Sequence, residues 1–125
     1  ILDLPFEIVH HDYQSLYQAL HNLLENALKF SRPQFRPRIE IGGEEREDRH
    51  ILWVRDNGIG FDMQYHERIF DIFQRLNHSE DYPGTGVGLA IVRKAMERVG
   101  GRAWAVSAPG QGATFYLEIP RQAGL

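Results

Sequence analysis

His50-Ile51-Leu52-Trp53-Val54-Arg55 runs straight into Asp56-Asn57-Gly58-Ile59-Gly60, and the join between them decides how the chain is read. The first six residues are mostly aliphatic, β-branched or aromatic, the composition of a strand. The next five hold two glycines and an Asn-Gly dipeptide, which no regular element accommodates, so the backbone turns sharply there. A carboxylate at a strand end, followed by glycines, offers an acceptor to a ligand while the backbone folds closely around it. Asn-Gly is also a favoured hairpin turn, although hairpins seldom need a second glycine two residues later. On local grounds the pentapeptide reads equally as a turn or as a site.

Toward the N-terminus, residues 38–41 read as a second strand, joined to residues 50–55 by a charged hairpin over residues 42–49. Before it, Asp12 caps a helix running to about residue 30, and residues 31–37, with two prolines, end it. At about 100° per residue, Leu16, Leu20, Leu23, Leu24, Ala27 and Leu28 share one broad face, and Asn22, Asn26 and Lys29 form a row opposite them. Residues 6–10 alternate as a first strand. Toward the C-terminus, residues 64–73 read as a short amphipathic helix and residues 74–83 as a polar loop. Residues 86–99 read as a strong helix stopped by Gly100-Gly101. Residues 103–107 and 113–119 form a last hairpin turning at 108–112. The order β, α, β, β, α, loop, α, β, β predicts an α+β fold: a two-layer sandwich whose mixed, mostly antiparallel sheet is covered on one face by about three helices. No internal repeat or linker divides residues 1–125, which read as one domain.

The 125 residues are 42% hydrophobic and 25% charged, with a formal net charge of −3. That balance excludes a general nucleic-acid binder, which needs a basic face. The lack of cysteine excludes a disulfide scaffold, a thiolate metal site and a cysteine nucleophile. Apolar runs are too short to span a membrane, and no charged-plus-apolar leader suggests export. The chain opens on Ile1 without an initiator methionine and reads as a domain cut from something longer. Of its 12 glycines, most fall in tight clusters: Gly58/Gly60, Gly84/Gly86/Gly88 and Gly110/Gly112. Such clustering means sharp bends or a close approach to something.

Two further constellations carry chemistry. Asn22, Asn26 and Lys29 stack two amides and an ammonium in one row. Amide oxygen is a hard ligand that suits Mg²⁺, and a lysine is a point charge that suits phosphate; a solvated polar face is the plainer alternative. Gly84-Thr85-Gly86-Val87-Gly88-Leu89 opens a helix, where free N–H groups and the positive dipole end favour an anion; the plainer alternative is a hinge. Neither GxxxxGK[ST] nor GxGxxG is present, because Leu89 stands where the last glycine is required.

In this order the segments resemble the catalytic ATP-binding domain of sensor histidine kinases, within the set shared with gyrase B, Hsp90 and MutL. His21–Ser31 resembles the N box, Asp56–Gly60 the G1 box, Ile69–Leu76 the F box, Gly84–Leu89 the G2 box and Gly110–Phe115 the last glycine element. The stretch 75–88 is most similar to kinases of the phytochrome and multi-PAS type. The resemblance implies a Bergerat-type fold with a mobile ATP lid over residues 61–83, and ATP and Mg²⁺ as cofactors. It implies that Asn26 ligates the metal, assisted by Asn22, that Lys29 meets a phosphate and that Phe30 lines the pocket. Asp56 would accept from the adenine amino group, with Gly58, Ile59 and Gly60 shaping that side and Thr114 supporting a water there. Arg75 would meet the γ-phosphate, and Gly84, Thr85, Gly86, Val87, Gly88 and Leu89 would wrap the phosphates. Asn26, Lys29 and Arg75 would be the catalytic set.

Those kinases phosphorylate a histidine followed by Asp or Glu and, after three more residues, a proline. None of His10, His11, His21, His50, His66 and His78 has that setting, so the acceptor is expected on a separate dimerisation domain of the same protein. A response regulator is reached through the full-length kinase. The fragment itself is expected to be monomeric and cytoplasmic, with no nucleic-acid or direct membrane contact. Gyrase-type relatives place a glutamate where Asn22 stands, so vigorous ATP hydrolysis is not expected; Glu25 points about 100° away from Asn26. Two rivals share the pocket: a nucleotide-binding switch without transfer, and a protein serine kinase of the anti-sigma type.

Overall fold

Alternation in burial shows which way each strand faces. The structure, a computed structural model, describes residues 2–3, 13–70 and 88–120. These form β1 (Leu2–Asp3), α1 (Tyr13–Ser31), β2 (Ile39–Glu45), β3 (Arg49–Asp56), α2 (Gly88–Arg98), β4 (Arg102–Ser107) and β5 (Ala113–Pro120). Between β3 and α2 lie two single-turn 3₁₀ helices, Met63–Tyr65 and Arg68–Phe70. The sheet order is β1-β2-β3-β5-β4. The β1–β2 pair is parallel and the other pairs are antiparallel.

Along β3 and β5 every second residue is buried. Leu52, Val54, Phe115, Leu117 and Ile119 therefore share one face, and onto it α1 lays Leu16, Ala19, Leu23 and Ala27 and α2 lays Val92, Ala95 and Met96. This is the expected two-layer α+β sandwich. The end of α2 is closed by a pair of reverse hydrogen bonds, Gly101 N–H to the Met96 carbonyl at 2.8 Å and Gly100 N–H to Glu97 at 3.1 Å, the Schellman arrangement.

The structure departs from the sequence expectations in several places. The strands β2 and β3 run through most of the expected 42–49 hairpin, leaving only residues 46–48 as the turn. Pairing continues because the Trp53 ring lies flat over Gly42, its register partner, and Arg46 N–H closes the turn on the Arg49 carbonyl at 2.8 Å. In the expected 64–73 helix, the described part is the two 3₁₀ turns, built on i to i−3 bonds at Tyr65, His66 and Phe70. Ile69 and Phe70, in the second of these turns, are both buried. The described helical layer thus has two α-helices instead of about three.

On α1, Leu28 is 57% exposed while Ala19 and Ala27 are closed off. The buried stripe is displaced toward the alanines, so the Asn22–Asn26–Lys29 row flanks it and does not oppose it. The expected strand over residues 6–10, the Asp12 cap, residues 71–73 and the 74–83 loop lie outside the described residues.

Trp53 and Trp104 belong to the face that carries no helix among the described residues. They bracket Tyr116 in one row across β3, β5 and β4. Trp104 stacks on Tyr116 at 5.1 Å and 8°, and Arg55 and Arg102 cap the two indoles at 4.8 and 4.6 Å. Beside the row, burial by itself would raise the Glu118 carboxyl, but hydrogen bonds from Arg102 and Arg49 outweigh it and hold the group below its ordinary value. Helix α1 supplies a direct check of the packing. Leu23→Ala deletes a side chain with 0% exposure and is expected to cost about 2–5 kcal/mol. Leu28→Ala is expected to stay within about 0.5 kcal/mol, and urea unfolding of both variants measures the difference.

Candidate functional site

Strand β3 ends on Asp56, between Ile39 of β2 and Ala113 of β5. Strand alternation turns its side chain to the helix-covered face, where it is 5% exposed. Burial raises the pKa of the carboxyl above its ordinary 3.8, and hydrogen bonds from the Gly58 and Ala113 backbone N–H groups oppose that rise. The Gly58 bond is 2.8 Å long. A buried carboxylate fixed by backbone donors is a placed acceptor, with lone pairs left for a ligand.

The loop after it is wedged between two other segments. On one side, Ile59 N–H donates to the Phe30 carbonyl at the end of α1, at 3.3 Å, and a Cβ on Gly58 would strike the same carbonyl. On the other side it interlocks with the β4–β5 turn. Gly110 N–H donates to the Ile59 carbonyl at 2.7 Å, and Ser107 Oγ accepts from Phe61 N–H at 2.9 Å while donating to the Gly112 carbonyl. Gly60 and Gly112 have φ of 68° and 73°. A Cβ on the first would meet the Ala108 carbonyl oxygen, and on the second the Asp56 carbonyl oxygen. Asn57 points away and holds the α1–β2 connection: its amide accepts from Arg38 N–H at 2.9 Å and donates to the Arg36 carbonyl at 2.8 Å.

The polar row of α1 faces the start of α2. Asn22 donates from Nδ2 to the Gln18 carbonyl at 2.8 Å, which turns its Oδ1 toward Gly88; a Cβ there would lie 3.3 Å from that oxygen. Asn26 is half-buried one turn on, and Leu89 packs on the core. Lys29 Nζ lies 5.2 Å from the Phe30 ring centroid. One end of the sandwich thus gathers an acceptor in a glycine cradle, an amide row and a helix N-terminus.

Known proteins share this fold. The sequence profile of histidine kinase-, DNA gyrase B- and HSP90-like ATPases matches residues 11–123. The chain belongs to that ATPase family. Cyanobacterial phytochrome A of Nostoc sp. is 52% identical over 105 residues, which cover 84% of this chain and 14% of the phytochrome. The mycobacterial sensor histidine kinase MprB superposes with a TM-score of 0.74 at 28% identity, over 86% of this chain and 70% of that one. Full-length ShkA in complex with AMPPNP gives 0.74 at 29% identity, over 89% of this chain and 22% of that one. The chain therefore spans a small part of the phytochrome relative.

Within this ATPase fold, the residues expected from the sequence fall into three sets. Asp56, Gly58, Ile59, Gly60 and Phe30 are brought together, and Asn22 meets Gly88. Arg75, Gly84, Thr85, Gly86 and Val87 lie outside the described residues. Thr114 is a correction. It pairs in register with Arg55, whose Nε donates to its hydroxyl at 3.3 Å on the helix-free face, so it stands on the opposite side of the sheet from Asp56. Ala113 is the residue beside the carboxylate. Sequence reasoning also missed Asn57 and Ser107. Only Asn57 left a signal, in its Asn-Gly dipeptide. Among the described residues no three His, Cys, Asp or Glu side chains could hold a metal ion, and no helix is long and apolar enough to cross a membrane.

Two stability measurements test this geometry. Gly110 has φ of 76° but no atom within 4 Å of a Cβ, so Gly110→Ala is expected to cost only the left-handed penalty of about 1 kcal/mol. Gly112→Ala adds a collision with the Asp56 carbonyl and is expected to cost more than twice as much in chemical denaturation. Because burial raises its pKa, the protonated form of Asp56 is favoured by the fold. The stability it contributes is present below 3.8 and is lost as pH rises through the raised value. Asp56→Asn keeps an acceptor for Gly58 N–H and carries no charge. It should melt above the parent at neutral pH, with the gap closing as pH falls into the ordinary carboxylate range.

Proposed function

We propose that residues 1–125 form one catalytic domain that binds Mg·ATP and donates the γ-phosphate to a histidine on a separate phosphoacceptor and dimerisation domain. The observation that carries this reading is the Asp56 carboxylate, buried at the sheet end and oriented by two backbone donors. An ionised carboxylate only accepts, so it suits the amino group of adenine and repels the guanine oxygen. Gly58, Ile59, Gly60 and Phe30 would close around the base. The structure of full-length ShkA in complex with AMPPNP supports a nucleotide as the ligand.

The amide row fits a magnesium ion: its donor is amide oxygen, and the Asn22 Oδ1 is turned toward Gly88 by the bond from its own Nδ2 to Gln18. Asn26, with Asn22, would hold the ion, which when bound neutralises phosphate charge. Lys29 would leave the Phe30 ring for a phosphate, and Gly88, Leu89 and the positive end of α2 would face the same group. Arg75 and the glycines at 84 and 86, with Thr85 and Val87, complete the proposed contacts. With Asn22 in place of a carboxylate, no group on this row activates water, which favours transfer over hydrolysis. Catalysis in such a site is positioning and charge neutralisation, and the nucleophile comes from elsewhere. The fragment would act as a monomer, within a cytoplasmic part of a kinase that serves a response regulator.

The test is incubation with γ-labelled ATP, with and without a histidine-bearing helical hairpin from a phytochrome relative. Acid-labile label is expected on the hairpin and none on the chain. Stoichiometric phosphohistidine on the chain, acid-stable label on the hairpin, or nucleotide binding without any transfer would each defeat the proposal.

A further inference from the structure

The proposed pocket has two halves built by different parts of the fold. The adenine half is the Asp56–Gly60 loop, bonded to the β4–β5 turn. The phosphate half is the amide row of α1 and the start of α2 at Gly88. From Gly60 the chain runs directly into residues 61–70. That segment is seated on β5, where Phe61 and Phe70 each lie 6.2 Å from the Phe115 ring, Phe70 edge-on at 77°. Phe70 is only 3% exposed, so the segment moves with the sheet and with the adenine half.

Helix α2 meets this segment in the apolar core, and one of its side chains also makes a polar contact there. Arg93, a little over one turn from Gly88, donates from Nη2 to the Glu67 carbonyl at 2.8 Å. Its guanidinium lies 5.3 Å from the Phe70 ring centroid. A planar fork performs both contacts at once, a directed hydrogen bond and a stack on an aromatic ring, which a lysine ammonium does not reproduce. Neither contact involves a residue assigned to the nucleotide.

We infer that Arg93 is a positioning residue that fixes the phosphate half of the pocket against the adenine half, and so sets affinity for the phosphate chain and not for the base. The inference rests on the nucleotide-binding reading. A residue serving only stability would weaken every ligand alike, together with the fold. A residue that sets the register of α2 weakens ATP selectively.

The experiment is calorimetric titration of the parent chain, Arg93→Met and Arg93→Lys with Mg·ATP and with adenosine, beside thermal melts. Methionine keeps the apolar stem and loses the donor and the planar cation. The expected result for Arg93→Met is a roughly tenfold weaker Mg·ATP affinity, the scale of one lost charge-assisted hydrogen bond, with adenosine affinity within about twofold and little change in melting. Arg93→Lys should recover part of the loss. Equal losses for ATP and adenosine, or an unchanged ATP affinity in Arg93→Met, overturn the inference. The parent is measured first: if it binds neither ligand, the nucleotide-binding reading itself has failed and the inference falls with it.

Discussion

The close passage of the Gly112 backbone over the carbonyl of Asp56 is the contact on which the site depends. No side chain fits between them, so the β4–β5 turn rests directly on the end of β3, and its N–H groups and carbonyls become available to the neighbouring loop. Gly110 then bonds Ile59, Ser107 bonds Phe61, and Gly60 tucks under Ala108. Main-chain contacts of this kind are stiff because neither partner has rotamers to explore. The carboxylate of Asp56 inherits that stiffness, which is what a group that discriminates between ligands requires.

How much of this was readable in the sequence follows from what each feature demands of its residues. Positions where backbone meets backbone admit only glycine, so Gly58, Gly60 and Gly112 were visible at once, as was Asp56 at the end of an apolar strand. The face of α1 was harder. Leucines dominate a helical wheel, but the buried stripe includes Ala19 and Ala27, small residues that allow close packing, and Leu28 was left in water. Thr114 was misjudged for a related reason: in a strand, one residue of displacement exchanges the faces, and the pairing of Asp56 with Ala113 is set by the sheet register. Ser107 bonds main-chain atoms of distant segments, which impose no residue type on their partners, and Arg93 meets a carbonyl and a ring on a segment far from it in the chain.

The two faces of the sheet solve different problems. One is covered by helices and holds the site at its end. The other has no second layer among the described residues, and a row of Gly42, Trp53, Tyr116 and Trp104 crosses it. Large rings laid flat over a glycine and stacked on each other shield the strands beneath, with arginines closing the ring faces. Ion pairs from Arg49 and Arg102 to Glu118 border that row at 2.7 and 3.0 Å. The outer surface is held by its own cross-strand contacts.

Both tryptophans of the chain lie in that row, across the sheet from Asp56. The intrinsic indole fluorescence of the protein therefore originates on the side remote from the pocket, in rings already stacked on tyrosine and arginine. It is a built-in reporter of sheet integrity, separated from the Asp56 side chain by the sheet. Unfolding and ligand occupancy can thus be followed in one sample as separate optical signals, provided that the probe for occupancy is carried by the ligand.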